Sequence, residues 1–188
     1  MPKPKVILSI LFCLIIVSAC GADEPSEQEI AAFSFIDQNG EPFGTDDLAG
    51  SVWVANFIFT ECDTVCPQMS VEMAALQQAL AENDIEVELV SFTVDPEVDS
   101  PDVLKEYMTK FTDDASNWHM LTGYSQEDIE AFAKEQFQTI VQKPSSSDQV
   151  IHGTNFYLID QDGVIQNQYN YTDASYIENM IEDIRSLQ

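Results

Sequence analysis

Basic residues are scarce in this sequence. Seven Lys and Arg stand against 33 Asp and Glu, for a formal charge of −26, and Arg185 is the one arginine. Such a field repels polyanions, so nucleic acid and anionic membrane surfaces are excluded as ligands held by charge. The acids come singly or in short runs, the pattern of a solvated surface. Apolar runs are short as well. The longest, residues 6–17 with Ser9 inside it, falls below the ~20 residues that a helix needs to cross a bilayer. Histidine occurs twice, at His119 and His152, and cysteine four times, at Cys13, Cys20, Cys62 and Cys66. So few cysteines exclude the disulfide framework of a small secreted scaffold.

What is present begins with an address. Lys3 and Lys5 precede the apolar run, and the small residues Ser18 and Ala19 follow it. A basic start, a short apolar stretch and a small-residue cleavage zone describe an export signal. Val17-Ser18-Ala19-Cys20 resembles the lipobox of bacterial lipoproteins, in which the cysteine is acylated and becomes the new N-terminus. Residues 1–19 are therefore read as a lipoprotein signal peptide. Residues 20–30 are read as the acylated Cys20 and a flexible, acid- and Ser-rich tether. Residues 31–188 remain as one domain of a size that buries a real core. The expected location is extracytoplasmic, lipid-anchored to the cell membrane. Cys13 leaves with the signal and Cys20 carries the lipid, so Cys62 and Cys66 alone remain for chemistry.

Along the domain, residues 33–43 alternate around Asp37-Gln38-Asn39-Gly40, a hairpin signal. A capped turn follows over 45–50. Residues 52–59 (VWVANFIF) and 87–94 form nearly continuous β-rich runs, as in strands of a parallel sheet covered on both faces. Met69, Met73, Leu76 and Leu80 mark a helix over 67–81 and belong to its core face, not to a ligand set. Further helices are predicted from Pro101 to Phe111, over 125–136 and over 173–187, with a short strand over 118–121. Pro144-Ser145-Ser146-Ser147-Asp148 reads as a flexible loop. A hairpin over 155–169 turns at Asp162-Gly163. Strands alternating with helices give an α/β fold.

The chemistry concentrates in Phe59-Thr60-Glu61-Cys62-Asp63-Thr64-Val65-Cys66-Pro67, where a buried strand runs into a helix. Cysteines four apart on a helical turn are within disulfide reach. They can equally converge on one soft metal ion such as Cu(I). Glu61 and Asp63 flank Cys62 and should hold its thiol in the protonated form, which favours a cation site over attack chemistry. Imidazole beside thiolate suits Cu(II) too. His152, at the entry to the NFYLID strand, is the candidate; His119 lies in an apolar segment and reads as structural.

These features together resemble the Sco/SenC family of copper proteins. The matching segments are FTECDTVCP (59–67), VDPEVDSPDVLKEY (94–107), LTG (121–123) and IHGTNFYLIDQDG (151–163). The resemblance implies a thioredoxin-like fold, with an added N-terminal hairpin and an inserted C-terminal hairpin. It implies one copper ion bound by Cys62, Cys66 and His152, and a metallochaperone in place of an enzyme. The implied partner is the copper-bearing subunit of cytochrome c oxidase, whose binuclear centre the family helps to assemble. Asp95, in Asp95-Pro96-Glu97-Val98-Asp99, is expected to orient His152 or to approach the metal, unless it only starts a turn.

Three other readings compete. A membrane-anchored thiol–disulfide oxidoreductase or redox sensor would cycle Cys62 and Cys66 as a disulfide, but Gly153 stands where such enzymes resemble one another in carrying a proline. A peroxiredoxin-type peroxidase needs an arginine near its cysteine, and Arg185 lies in the last helix. A purely structural lipoprotein leaves two cysteines and a histidine at ligand positions without a purpose.

Overall fold

The computed structural model describes residues 29–188. The signal peptide, Cys13, Cys20 and nearly all of the tether lie outside the described residues. Glu29 bridges Val164, and Ile30 is buried with its N–H on the carbonyl of Gly163. The folded body thus takes in Glu29 and Ile30, two residues earlier than the sequence placed its start.

β1 (Ser34–Ile36) and β2 (Pro42–Gly44) form the N-terminal antiparallel hairpin. Its turn is held by the Asp37 carboxylate, which accepts from the N–H groups of Asn39 and Glu41, and Gly40 takes φ +81° there. A short helix α1 (Thr45–Leu48) leads to β3 (Trp53–Ile58). Then follow α2 (Cys66–Glu82), β4 (Glu88–Thr93), α3 (Pro101–Met108), β5 (Trp118–Leu121) and α4 (Gln126–Gln136). The chain closes with β6 (Val141–Gln142), β7 (Ile151–His152), β8 (Asn155–Ile159), β9 (Ile165–Asn170) and α5 (Tyr176–Leu187).

The main sheet has the order β5-β4-β3-β8-β9. β3, β4 and β5 run parallel, while β8 joins β3 antiparallel and β9 joins β8 antiparallel. The sheet is therefore mixed, which the unbroken apolar runs do not reveal: they report burial on both faces, not strand direction. Every residue of β3 is buried. From α2, Met69, Met73, Leu76 and Leu80 sink fully into the core, each such side chain contributing about 1.5–3 kcal/mol relative to exposure. An aromatic cluster packs Phe92 against Phe57, Phe132 and Phe137, and Phe33 reaches into it from the chain entry. Gln38 of the hairpin turn seals the β5 edge. Its amide donates to the Trp118 carbonyl and accepts from the Met120 N–H, so two ladder groups are paired by a side chain.

β6 and β7 are two residues each and form a separate small hairpin, Val141 facing His152 and Gln142 facing Ile151. The 144–148 loop lies between them. Strands this short carry no periodicity, and the sequence reading contained neither.

Candidate metal centre

The C-terminal ends of β3 and β4 frame the site. After β3 the chain turns through residues 59–65 and enters α2 at Cys66, with Pro67 in the first turn, where a missing N–H costs nothing. Asp99, fully buried, anchors this turn. It accepts from Thr60 Oγ1 at 2.5 Å and from the Thr60 N–H at 3.2 Å, and it also takes the Thr93 hydroxyl. Burial pushes the Asp99 carboxyl up, against the pull of these donors.

Cys62 and Cys66 are both buried free thiols, and the Cys66 N–H donates to Cys62 Sγ at 3.4 Å. His152 arrives from β7, with Nε2 3.1 Å from Cys66 Sγ. Its Nδ1 lies 2.8 Å from the Gly153 carbonyl. A carbonyl only accepts, so Nδ1 donates to it, which turns Nε2 toward the sulfurs. Phe59 presents an edge to the imidazole at 5.7 Å between ring centres. One ligand atom from each of Cys62, Cys66 and His152 falls within 4.8 Å of the others, and no second such trio occurs among the described residues.

The two thiols differ in acidity. Burial works against a Cys62 thiolate, but hydrogen bonds with His152, with Cys66 and with the N–H groups of Cys66 and Thr64 outweigh it and bring the pKa down to about 5. Burial, followed by the neighbouring Cys62, pushes Cys66 well above the ordinary thiol range. This reverses the expectation that Glu61 and Asp63 keep Cys62 protonated. Both acids are solvent-exposed, where their charge is screened, whereas the local hydrogen bonds act at contact. A ready thiolate beside a protonated thiol can hold a soft cation or exchange with a disulfide.

Asp95 opens a turn, as the alternative expectation had it, with its carbonyl accepting from the N–H groups of Val98 and Asp99. Its buried carboxylate pairs with Lys143 Nζ at 2.7 Å, and the imidazole is oriented by the Gly153 carbonyl instead. Lys143 opens the loop that ends at β7, so Asp95 holds the base of the histidine-bearing segment. His119 sits on β5, stacked on Phe43 at 3.8 Å with Nε2 3.3 Å from Glu88, away from the cysteine turn. A side chain at Gly153 would crowd Thr139: an added Cβ would lie 2.1 Å from its Oγ1, so one of the two would have to move. The sequence reading missed the roles of Asp99, Thr60, Thr93, Lys143 and Gln149. For Asp99 a signal existed, a second acid four residues after Asp95 at the end of a buried strand.

The SCO1/SenC family model matches residues 21–188. The chain belongs to the SCO1/SenC family. It is 41% identical over 187 residues to the SCO1 protein homolog of Bacillus subtilis, covering 97% of each chain. Among solved structures, a SCO1/SenC family lipoprotein from Bacillus anthracis superimposes with TM-score 0.84 at 49% identity, covering 88% of this chain and 98% of that one. BsSco, a member of the Sco family of cytochrome c oxidase assembly proteins with an identified disulfide switch, gives TM-score 0.79 at 41% identity, over 87% and 95% of the two chains. Copper-bound ScoI of Arabidopsis thaliana gives TM-score 0.71 at 26% identity, over 85% and 99%. The fold of this SCO1/SenC chain is thioredoxin-like.

Proposed function

We propose that this SCO1/SenC protein binds one copper ion through Cys62, Cys66 and His152 and delivers it during assembly of the binuclear copper centre of cytochrome c oxidase. It works at the outer face of the cytoplasmic membrane, tethered by a lipid on Cys20. The observation that carries the reading is the convergence of two sulfurs and an imidazole nitrogen within 4.8 Å. Two thiolates suit Cu(I), and the added imidazole suits Cu(II). The likeness to a copper-bound relative supports the choice of metal, and the likeness to a family lipoprotein supports the anchor.

Each residue has a definable task. Cys62 offers a thiolate at neutral pH. Cys66 keeps its proton until a cation displaces it, so loading releases protons and weakens as pH drops. The Gly153 carbonyl holds the His152 ring with Nε2 inward. Adding Cu(II) to the soluble domain should produce a sulfur-to-copper charge-transfer band. No band in the wild-type protein would sink the copper reading.

A second reading has its own support in the unequal thiols. The Cys62 thiolate could attack a disulfide in a client protein, after which the Cys66 thiol loses its proton and displaces the client. Two electrons then pass to the client and a Cys62–Cys66 disulfide remains, consistent with the disulfide switch of BsSco. A strain lacking the protein separates the two. Extra copper should restore its cytochrome c oxidase activity under the delivery reading, whereas rescue by a small thiol reductant alone would establish the exchange reading.

A further inference from the structure

The histidine-bearing segment is fastened at both ends of its 144–148 loop. At one end Lys143 reaches the buried Asp95. At the other, the Gln149 side chain crosses to the cysteine turn. Its Nε2 donates to the Glu61 carbonyl at 3.0 Å, and its Oε1 accepts from the Asp63 N–H at 3.4 Å. Glu61 and Asp63 are the immediate neighbours of Cys62. A single amide therefore grips the backbone on both sides of the sulfur-bearing residue, as one residue of a parallel ladder grips the residue it faces.

Among the described residues, the other hydrogen bonds between these two loops at this point are those of His152 with Cys66 and Cys62. Thr60, at the start of the turn, is held from the far side by Asp99. Val150 is buried, and His152 follows three residues after Gln149. A shift of Gln149 is thus passed to the imidazole over three residues, of which Val150 is buried and Ile151 exposed.

We propose that Gln149 is a positioning residue, which sets the separation of Cys62 from His152 and so tunes the site for copper(II). This rests on the copper reading above. Copper(I) is satisfied by the two sulfurs, which share one turn and need no help from the other loop. Copper(II) needs the imidazole as well, so it feels the loss of the clamp. The chemistry of the clamp also explains why an amide is used: it supplies one donor and one acceptor with no charge, beside an acid-rich turn.

The test is Gln149→Ala in the soluble domain. Copper(II) affinity should fall about tenfold or more, the usual scale for a group that orients a ligand, with copper(I) affinity changed by less than about threefold. The charge-transfer band should shift or weaken. In the metal-free protein the Asp63 amide hydrogen should exchange faster, while thermal stability stays close to wild type. Gln149→Glu keeps the acceptor for Asp63 and loses the donor to Glu61. Its Asp63 amide should stay slow to exchange while copper(II) affinity still drops. Equal weakening of both copper states together with lost stability would make Gln149 a merely structural residue and overturn the proposal. So would unchanged Asp63 exchange and unchanged copper(II) affinity in Gln149→Ala. Absence of copper binding by the wild type would instead overturn the copper reading, and the exchange data on the metal-free protein would still report on the clamp.

Discussion

His152 Nε2 lies 3.1 Å from Cys66 Sγ although 86 positions separate them in the chain. The contact joins the first residue of α2, which follows β3, to the hairpin that precedes β8, and β3 and β8 pair directly in the sheet. Long-range strand pairing, not local spacing, completes the trio.

The three members should respond differently to removal. Cys62→Ala or Cys66→Ala should abolish tight binding of copper in both oxidation states. His152→Ala should weaken copper(II) by at least about a hundredfold and copper(I) far less, since soft thiolates suffice for the latter. His119→Ala should change neither. Isothermal titration with competing chelators would decide it, and a larger effect at His119 would overturn the ligand set.

The Cys62 pKa carries a stability signature in the reduced, metal-free protein. Folding lowers it from 9.0 to about 5, so between these values the folded state binds fewer protons than the unfolded one. Stability from this group is complete above pH 9 and is lost as pH falls toward 5. Cys66, shifted upward by burial, acts oppositely and only above the ordinary thiol range. Urea unfolding of wild type should accordingly show a steeper rise from pH 5 to 8.5 than Cys62→Ala. In the same window iodoacetamide should label Cys62 and spare Cys66.

Gly153→Ala should displace the histidine hairpin, because the new Cβ would meet Thr139 Oγ1 at 2.1 Å. A loss of about 1–3 kcal/mol is the expected scale for such overpacking. Removing the obstructing hydroxyl with Thr139→Ala in the same chain should recover part of it, giving a clear coupling energy in a double-mutant cycle. Simple additivity would show that the crowding is relieved elsewhere.

Cys20→Ala should stop acyl labelling and either release the protein from the membrane fraction or leave it unprocessed. Unchanged lipid incorporation would refute the anchor.

The sequence made the Cys62, Cys66 and His152 cluster legible because cysteine and histidine are rare here and their chemistry is narrow. The core was legible too: the Met69–Met73–Leu76–Leu80 face of α2 is buried as its spacing requires. Lys143, Gln149 and Asp99 were not legible, since a lone polar residue acquires a role only from what folding brings beside it. Direction in the sheet was hidden for a similar reason. Asn155–Ile159 reads as a buried strand whether it runs with β3 or against it, and only the register of Trp53 with Ile159 decides. The Cys62 acidity inverted because sequence neighbours are not the spatial neighbours that matter: Glu61 and Asp63 point to water while His152 and the Cys66 N–H face the sulfur.

The chain enters the fold at Glu29 and Ile30, which bond to Val164 and Gly163 in the turn between β8 and β9. Because β8 runs against β3, that turn lies beside the first residues of β3, and the cysteines follow its last. Six strand residues, about 20 Å at the usual rise, therefore separate the mooring end from the metal end. A lipid at Cys20 would leave nine peptide links, at most about 30 Å of chain, below the domain. Under the proposed anchor the stem would join the domain at the end opposite the cysteine turn, so Cys62, Cys66 and His152 would lie about one strand's length beyond the mooring point, on the side away from the lipid.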